Sequence, residues 1–155
     1  MKRHEMVEVL SIQNTLNRYS EGVSRGDWDQ AVATYRQDAV WEVSGTELKF
    51  RGTAEIRQGL QSLSEPFAYL VQINAPAVIS IVGDQATARS VIREGGKYKH
   101  SDEAMEGYGW YEDFLTRTAD GWRFIKRIYH IRGMHRVPIL GPVQAVLAQA
   151  DIERG

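Results

Sequence analysis

Tyr111, Asp113, Arg127 and Tyr129 are the residues whose types and spacing point first to chemistry. Two strand-like runs flank Asp120-Gly121, a pair that makes a sharp hairpin turn. A turn centred on Asp120 sets Tyr111 opposite Tyr129, Asp113 opposite Arg127 and Leu115 opposite Ile125. Strand side chains repeat every two residues, so all six fall on one face. There Asp113 takes or gives a proton, with Arg127 fixing its position and lowering its pKa. Alternatively, Arg127 clamps a substrate carboxylate or enolate while Tyr111 donates a hydrogen bond to a developing oxyanion. A third reading is a plain cross-strand ion pair beside a small cavity, since structural pairs also perturb pKa values.

The other candidates are single residues. Trp41 and Val43 share a strand face, either as a wall for a flat ring or as core packing. Glu94 stands near a strand end, either as a solvated rim carboxylate or reaching the mouth of a cavity. Ser24 hydrogen-bonds a ligand or closes the end of a helix. Of the histidines, His4 is terminal, His100 falls in a polar loop, His130 alternates away from Arg127, and His135 follows the last strand. None shares the face of Asp113, although His100 or His135 could fold over a cavity mouth. No H-E-x-x-H spacing or carboxylate–histidine cluster argues for a metal. Gly95-Gly96 lacks the following helix of a phosphate loop.

These residues need a scaffold. Apolar positions at steps of three and four predict a helix over residues 4–23, with Met6, Val9, Ile12, Leu16, Tyr19 and Val23 as its stripe. Asp27 is an N-cap for a second short helix carrying Trp28, Ala31, Val32 and Tyr35, which Asp38 ends. Strands are expected over residues 40–43 and 48–51, and a third helix begins at Thr53 and stops at Pro66. Long strands come next, over residues 69–82, 85–94, 104–118 and 121–132, with residues 95–103 as a rim loop. Pro138 and Pro142 flank a helix over residues 143–152. Helices followed by long antiparallel strands make an α+β fold. Such a sheet, strongly curved and covered by the helices, forms a cone with an internal pocket.

Composition narrows the functions. The 155 residues suit one domain, read as residues 1–155, and the formal net charge is −1. Basic residues are scattered, which argues against nucleic acid as a partner. No cysteine is present, which removes thiolate nucleophiles and disulfides. The amino terminus has no signal-peptide pattern, and nothing approaches the ~18 consecutive apolar residues of a membrane span. A cytoplasmic location is the expectation.

Several segments carry a resemblance: GDWDQAVATYRQDAVWEV from Gly26, NAPAVISIVGDQATA from Asn74, YEDF from Tyr111 and DGWRFIKR from Asp120. In order and spacing, over roughly residues 5–132, they resemble the SnoaL-like branch of the nuclear-transport-factor-2-like superfamily. That family includes scytalone dehydratase, hexachlorocyclohexane dehydrochlorinase and polyketide cyclases, and the non-catalytic small subunits of ring-hydroxylating dioxygenases share the fold. The resemblance implies the cone, and it turns the hairpin face inward. With that face inward, Asp113, Arg127 and Tyr111 are the residues read as catalytic, and Trp41, Val43, Ser24, Leu70, Ile92, Glu94 and Tyr129 as substrate-binding. The acid–base dyad of the dehydratase and dehydrochlorinase would fall at Ser24 and Leu70, which cannot form it.

The activity this implies is cofactor-free proton transfer (dehydration, isomerisation, cyclisation or hydrolysis) on an apolar or aromatic ring compound. The rival reading is a non-catalytic binding module or a dioxygenase small-subunit-like protein. Trp122, Phe124, Ile128 and His130 alternate onto the convex face. That face suits a homodimer, unless the carboxy-terminal helix covers it.

Overall fold

The computed structural model describes residues 3–139 together with Gly141. Helix α1 (Arg3–Arg25) buries Ile12, Leu16, Tyr19 and Val23 along one side. Asp27 then caps α2 (Trp28–Val32), its carboxylate accepting from the Gln30 N–H at 3.0 Å. The second helix is shorter than its apolar pattern suggested. β1 (Tyr35–Val43) already begins at Tyr35, whose ring packs 5.1 Å from Phe124 and 5.8 Å from Tyr19. Asp38 therefore lies within a strand. The tertiary pull of the aromatic core outweighs a weak local helix signal.

β2 (Lys49–Arg51) returns beside β1, and α3 (Gly52–Ser64) buries Ile56 and Leu60. The long strand expected after Pro66 is two strands, β3 (Phe67–Asn74) and β4 (Val78–Val82). Pro76 between them has no N–H to give a ladder, and the Ala77 N–H donates to Gln13 Oε1 at 2.8 Å. β5 (Gln85–Tyr98), β6 (Glu103–Thr118) and β7 (Gly121–Pro138) complete the fold. Most of the expected rim loop is strand, and only residues 99–102 turn. Gly96 continues the ladder where a side chain could not, because a Cβ there would lie 2.6 Å from the Tyr69 carbonyl oxygen. The helix expected over residues 143–152 lies outside the described residues.

The strands form one open, curved sheet in the order β2-β1-β7-β6-β5-β3, with β4 also on β5. The sheet is mixed: β1 runs parallel to β7, and the other pairs are antiparallel. Its concave face holds the core with α1 and α3. The outer edge of β3 is covered by α1. The Gln72 N–H donates to Ser24 Oγ at 2.9 Å, and Asn74 Nδ2 donates to Ser20 Oγ. A covered edge is closed to further pairing.

Two register shifts between β6 and β7 decide which side chains point inward. Tyr111 faces Tyr129 and Asp113 faces Arg127, but Leu115 faces Phe124 rather than Ile125. Ile125 is the extra residue of a bulge, and one extra residue exchanges the two faces of a strand. Trp122 and Phe124, expected on the convex face, are therefore buried in the core. Ile128 and His130, beyond the bulge, are half-buried on the other face. A second shift skips Arg132, and the side that carries Ile131 is then taken up by Met134.

Candidate active site

Cross-strand register arranges the concave face in rows. The innermost runs Ala86, Leu115, Phe124, Tyr35; the next is Ala88, Asp113, Arg127, Trp41. Above them lie Ser90, Tyr111, Tyr129 and Val43, then Asn74, Ile92, Gly109 and Ile131. The next row is Gln72, Glu94, Gly107 and Met134, and beyond it lie Leu70, Gly96 and Met105. A cavity of about 210 Å³ opens over the upper rows, closed from the other side by Tyr19 and Val23 of α1 and by Leu60 and Leu63 of α3. Trp41, stacked on Phe50 at 5.5 Å, forms one flat wall with Val43. Leu48, Leu63, Ile131 and Met134 are exposed apolar side chains that also line it.

Glu94 is the one carboxylate in this wall among the described residues, and no lysine, arginine or histidine joins it. Alternation along β5 turns it inward with Ala88, Ser90 and Ile92, and it is only 8% exposed. Room for it comes from Gly107 on the neighbouring strand, where an added Cβ would lie 3.0 Å from Glu94 Cγ. Tyr129 donates its hydroxyl to Glu94 Oε1 at 3.1 Å, and Gln72 Nε2 donates to Oε2 at 3.2 Å. Gln72 Nε2 also lies 3.3 Å from the Tyr111 hydroxyl oxygen, which accepts from it. Burial pushes the Glu94 carboxyl above its ordinary pKa, and the bonds from Gln72 and Tyr129 offset part of that rise. Burial raises Tyr19, Tyr111 and Tyr129 as well, so all three phenols remain neutral donors near pH 7.

Asp113 and Arg127 pair as their spacing predicts, but they are sealed beneath the cavity. Both are 0% exposed and neither lines it. Arg127 Nη2 donates to Asp113 Oδ2 at 3.2 Å, and Nε lies 2.9 Å from Oδ1. The guanidinium carbon sits 3.7 Å from the ring centre of Tyr111, 4.1 Å from Tyr19 and 4.5 Å from Phe124, a cation held among three π-faces. Burial pushes the Asp113 carboxyl up to about 6 against the pull of Arg127.

The remaining candidates divide. Trp41, Val43, Leu70, Tyr111 and Tyr129 line the cavity, as does Glu94, which is buried and not a solvated rim group. Ile92 is core, and Ser24 lies outside the lining, donating to the Ser20 carbonyl at 2.7 Å and accepting from the Gln72 backbone. His100 and His135 are exposed and stand outside the lining; His130 meets Glu112 at 3.1 Å and stacks on Trp110 at 4.7 Å. Gln72 and Tyr19 belong to the site and were not singled out from the sequence. Gln72 shares its strand phase with Leu70, a signal that existed. Its position opposite Glu94 depended on how far β5 extends.

The SnoaL-like domain profile matches residues 5–128. The chain belongs to the SnoaL-like family. An uncharacterised protein of Mycobacterium tuberculosis is 24% identical to this SnoaL-like chain over 128 residues, spanning 80% of this chain and 85% of the relative. Among solved structures, a protein of Novosphingobium aromaticivorans provisionally named a scytalone dehydratase superposes with a TM-score of 0.80 at 19% identity, covering 92% of this chain and 97% of that one. The type 3 hexachlorocyclohexane dehydrochlorinase of Novosphingobium barchaimii gives 0.75 at 14% identity, covering 89% and 94%. These likenesses establish the curved, helix-covered sheet that the SnoaL-like chain shares with its relatives. Where members with the acid–base dyad are expected to carry aspartate and histidine, this one has Ser24 and Leu70.

Proposed function

We propose that this SnoaL-like protein is a cofactor-free acid–base enzyme acting on a small apolar or aromatic ring compound, with Glu94 as the proton-transferring group. The observation that carries this reading is a lone carboxylate in an apolar cavity, its pKa raised by burial and its two oxygens each oriented by one neutral donor. A general base works best with a pKa near the operating pH, and burial moves Glu94 in that direction. Tyr129 and Gln72 aim the carboxylate, and Tyr111 offers its hydroxyl hydrogen to a substrate oxygen. Asp113 and Arg127 act through Tyr111, holding its ring from beneath, and do not touch the ligand. Dehydration, isomerisation and cyclisation all need such a proton transfer.

Proton exchange tests the assignment whichever of these reactions the protein performs. Ring ketones that raise the melting temperature are incubated with the protein in D2O, and deuterium incorporation beside the carbonyl is followed by NMR. Wild-type protein accelerates the exchange; Glu94→Gln does not, while its binding stays within about tenfold (~1.4 kcal/mol). Undiminished exchange in the variant overturns the assignment of Glu94. Binding with no exchange in the wild type supports the second reading, a non-catalytic ligand-binding module, which the absence of the dyad at Ser24 and Leu70 favours.

A homodimer across the convex face, in a cytoplasmic setting, completes the proposal. Val71, Ile73, Val91 and Tyr108 are exposed, an apolar area suited to a second copy. Light scattering of wild type against Val91→Glu tests it, with a dimer expected only for the former.

A further inference from the structure

Among the described residues, Glu94 is exceptional as a buried carboxylate with no cation. Asp113 is likewise buried and Glu8 and Glu42 are partly so, and each is paired: Glu8 with Arg117 at 2.5 Å, Glu42 with Lys49 and Lys126 at 2.9 Å each, Asp113 with Arg127 at 2.9 Å. Buried charges are normally matched in this way, because an unmatched one loses its hydration with nothing in return. Glu94 has only two neutral donors, Gln72 and Tyr129, which leave lone-pair positions on both oxygens. The groups that face it from the packed elements are Tyr19 of α1, Gln72 of β3, Tyr111 of β6 and Tyr129 of β7, none of them charged near pH 7. Arg127 is the cation beneath the cavity floor, and it is already engaged by Asp113 behind the rings of Tyr19 and Tyr111.

We infer that the ligand supplies the missing positive charge: the ring compound bound here carries a protonated nitrogen that pairs with Glu94. The rest of the cavity fits such a molecule. The Trp41 and Tyr129 rings and the leucines accept an apolar ring, and aromatic walls also favour a cation at their faces. The volume of about 210 Å³ suits a ligand of one ring with a short substituent, since a ~150 Å³ apolar cavity already holds benzene. A carboxylate-bearing ligand meets no cation in this wall and is repelled by Glu94. The inference rests on Glu94 being the group that faces the ligand, as the proposed function has it.

Three probes of one shape test it by titration calorimetry at pH 7.5: benzylamine, benzyl alcohol and benzoate. Benzylamine is expected to bind at least about tenfold more tightly than benzyl alcohol, with no measurable benzoate binding, and Glu94→Gln erases the preference. Should that variant fail to fold, the wild type alone decides. Benzylamine affinity falls on acidifying through the Glu94 pKa and again on alkalising through that of the amine, while benzyl alcohol affinity stays flat. Benzyl alcohol binding as tightly as benzylamine, or no benzylamine binding at any pH, overturns the inference. Deuterium exchange that still depends on Glu94 would then leave the acid–base reading standing.

Discussion

Glu94 and Gly107 face each other across β5 and β6, and the space left by the missing side chain of Gly107 is where the Glu94 stem lies. Gly107→Ala puts a methyl 3.0 Å from Glu94 Cγ and 3.3 Å from Oε1, closer than ordinary packing allows. The carboxylate moves off the hydroxyl of Tyr129. We expect exchange activity to drop by an order of magnitude or more, with a stability cost of about 1–3 kcal/mol. Paired kinetics and urea unfolding check this, and a fully active variant would show that the fit between the two residues is loose.

Glu94 also sets a pH dependence of stability. Its folded pKa lies above its unfolded value, so the folded state holds this proton more tightly. Its contribution is fully present below the unfolded pKa and is lost as pH rises through the folded pKa. Glu94→Gln removes that loss. The variant is expected to be more stable than wild type at pH 7.5, with the difference shrinking as pH falls toward 4. Chemical denaturation at several pH values reads the slope.

Arg127→Met leaves Asp113 buried without its cation. Breaking a buried pair costs about 3–5 kcal/mol, a fall in Tm on the order of 10 °C for a chain of this size. The carboxyl of Asp113 is already pushed up to about 6, and loss of Arg127 raises it further. The variant can shed the cost by protonating. Its deficit is therefore larger at pH 8 than at pH 5, which unfolding curves at the two pH values measure.

Ser24 reaches the site through the backbone. Ser24→Ala strips the Gln72 N–H of its acceptor on the edge of β3, a loss of about 1–3 kcal/mol. Gln72 then holds Glu94 less firmly, and ligand affinity falls with stability. Ser24→Thr, which keeps the hydroxyl, restores both. An alanine variant with unchanged affinity would confine Ser24 to a structural role.

The pairing of Asp113 with Arg127 and of Tyr111 with Tyr129 came out as expected because two departures cancel: the turn sets Thr118 against Gly121, one residue short of a turn centred on Asp120, and the bulge at Ile125 adds that residue back. Burial was not legible in the same way. Nothing in the spacing says that Tyr19, from a distant helix, lies over the Arg127 guanidinium and cuts the ion pair off from the cavity. The bulge at Ile125 left no mark in composition, yet it moved Trp122 and Phe124 from one face to the other. Of the two places the sequence leaves open for Glu94, the solvated rim fails because β5 does not end at the glycine pair. Glycine usually interrupts a strand, and here it lets β3 approach. The α+β layout needed only element order and strand length, and so it came through.

The layering of the concave face has a consequence for how such a protein acquires new activities. A single stratum of phenol rings separates the cavity from a carboxylate and a guanidinium already fixed against each other. Shortening Tyr19 and Tyr111 together lowers the floor by one row and opens both groups to whatever enters. A carboxylate–guanidinium pair is thus held in reserve beneath the cavity, out of reach while those two rings roof it.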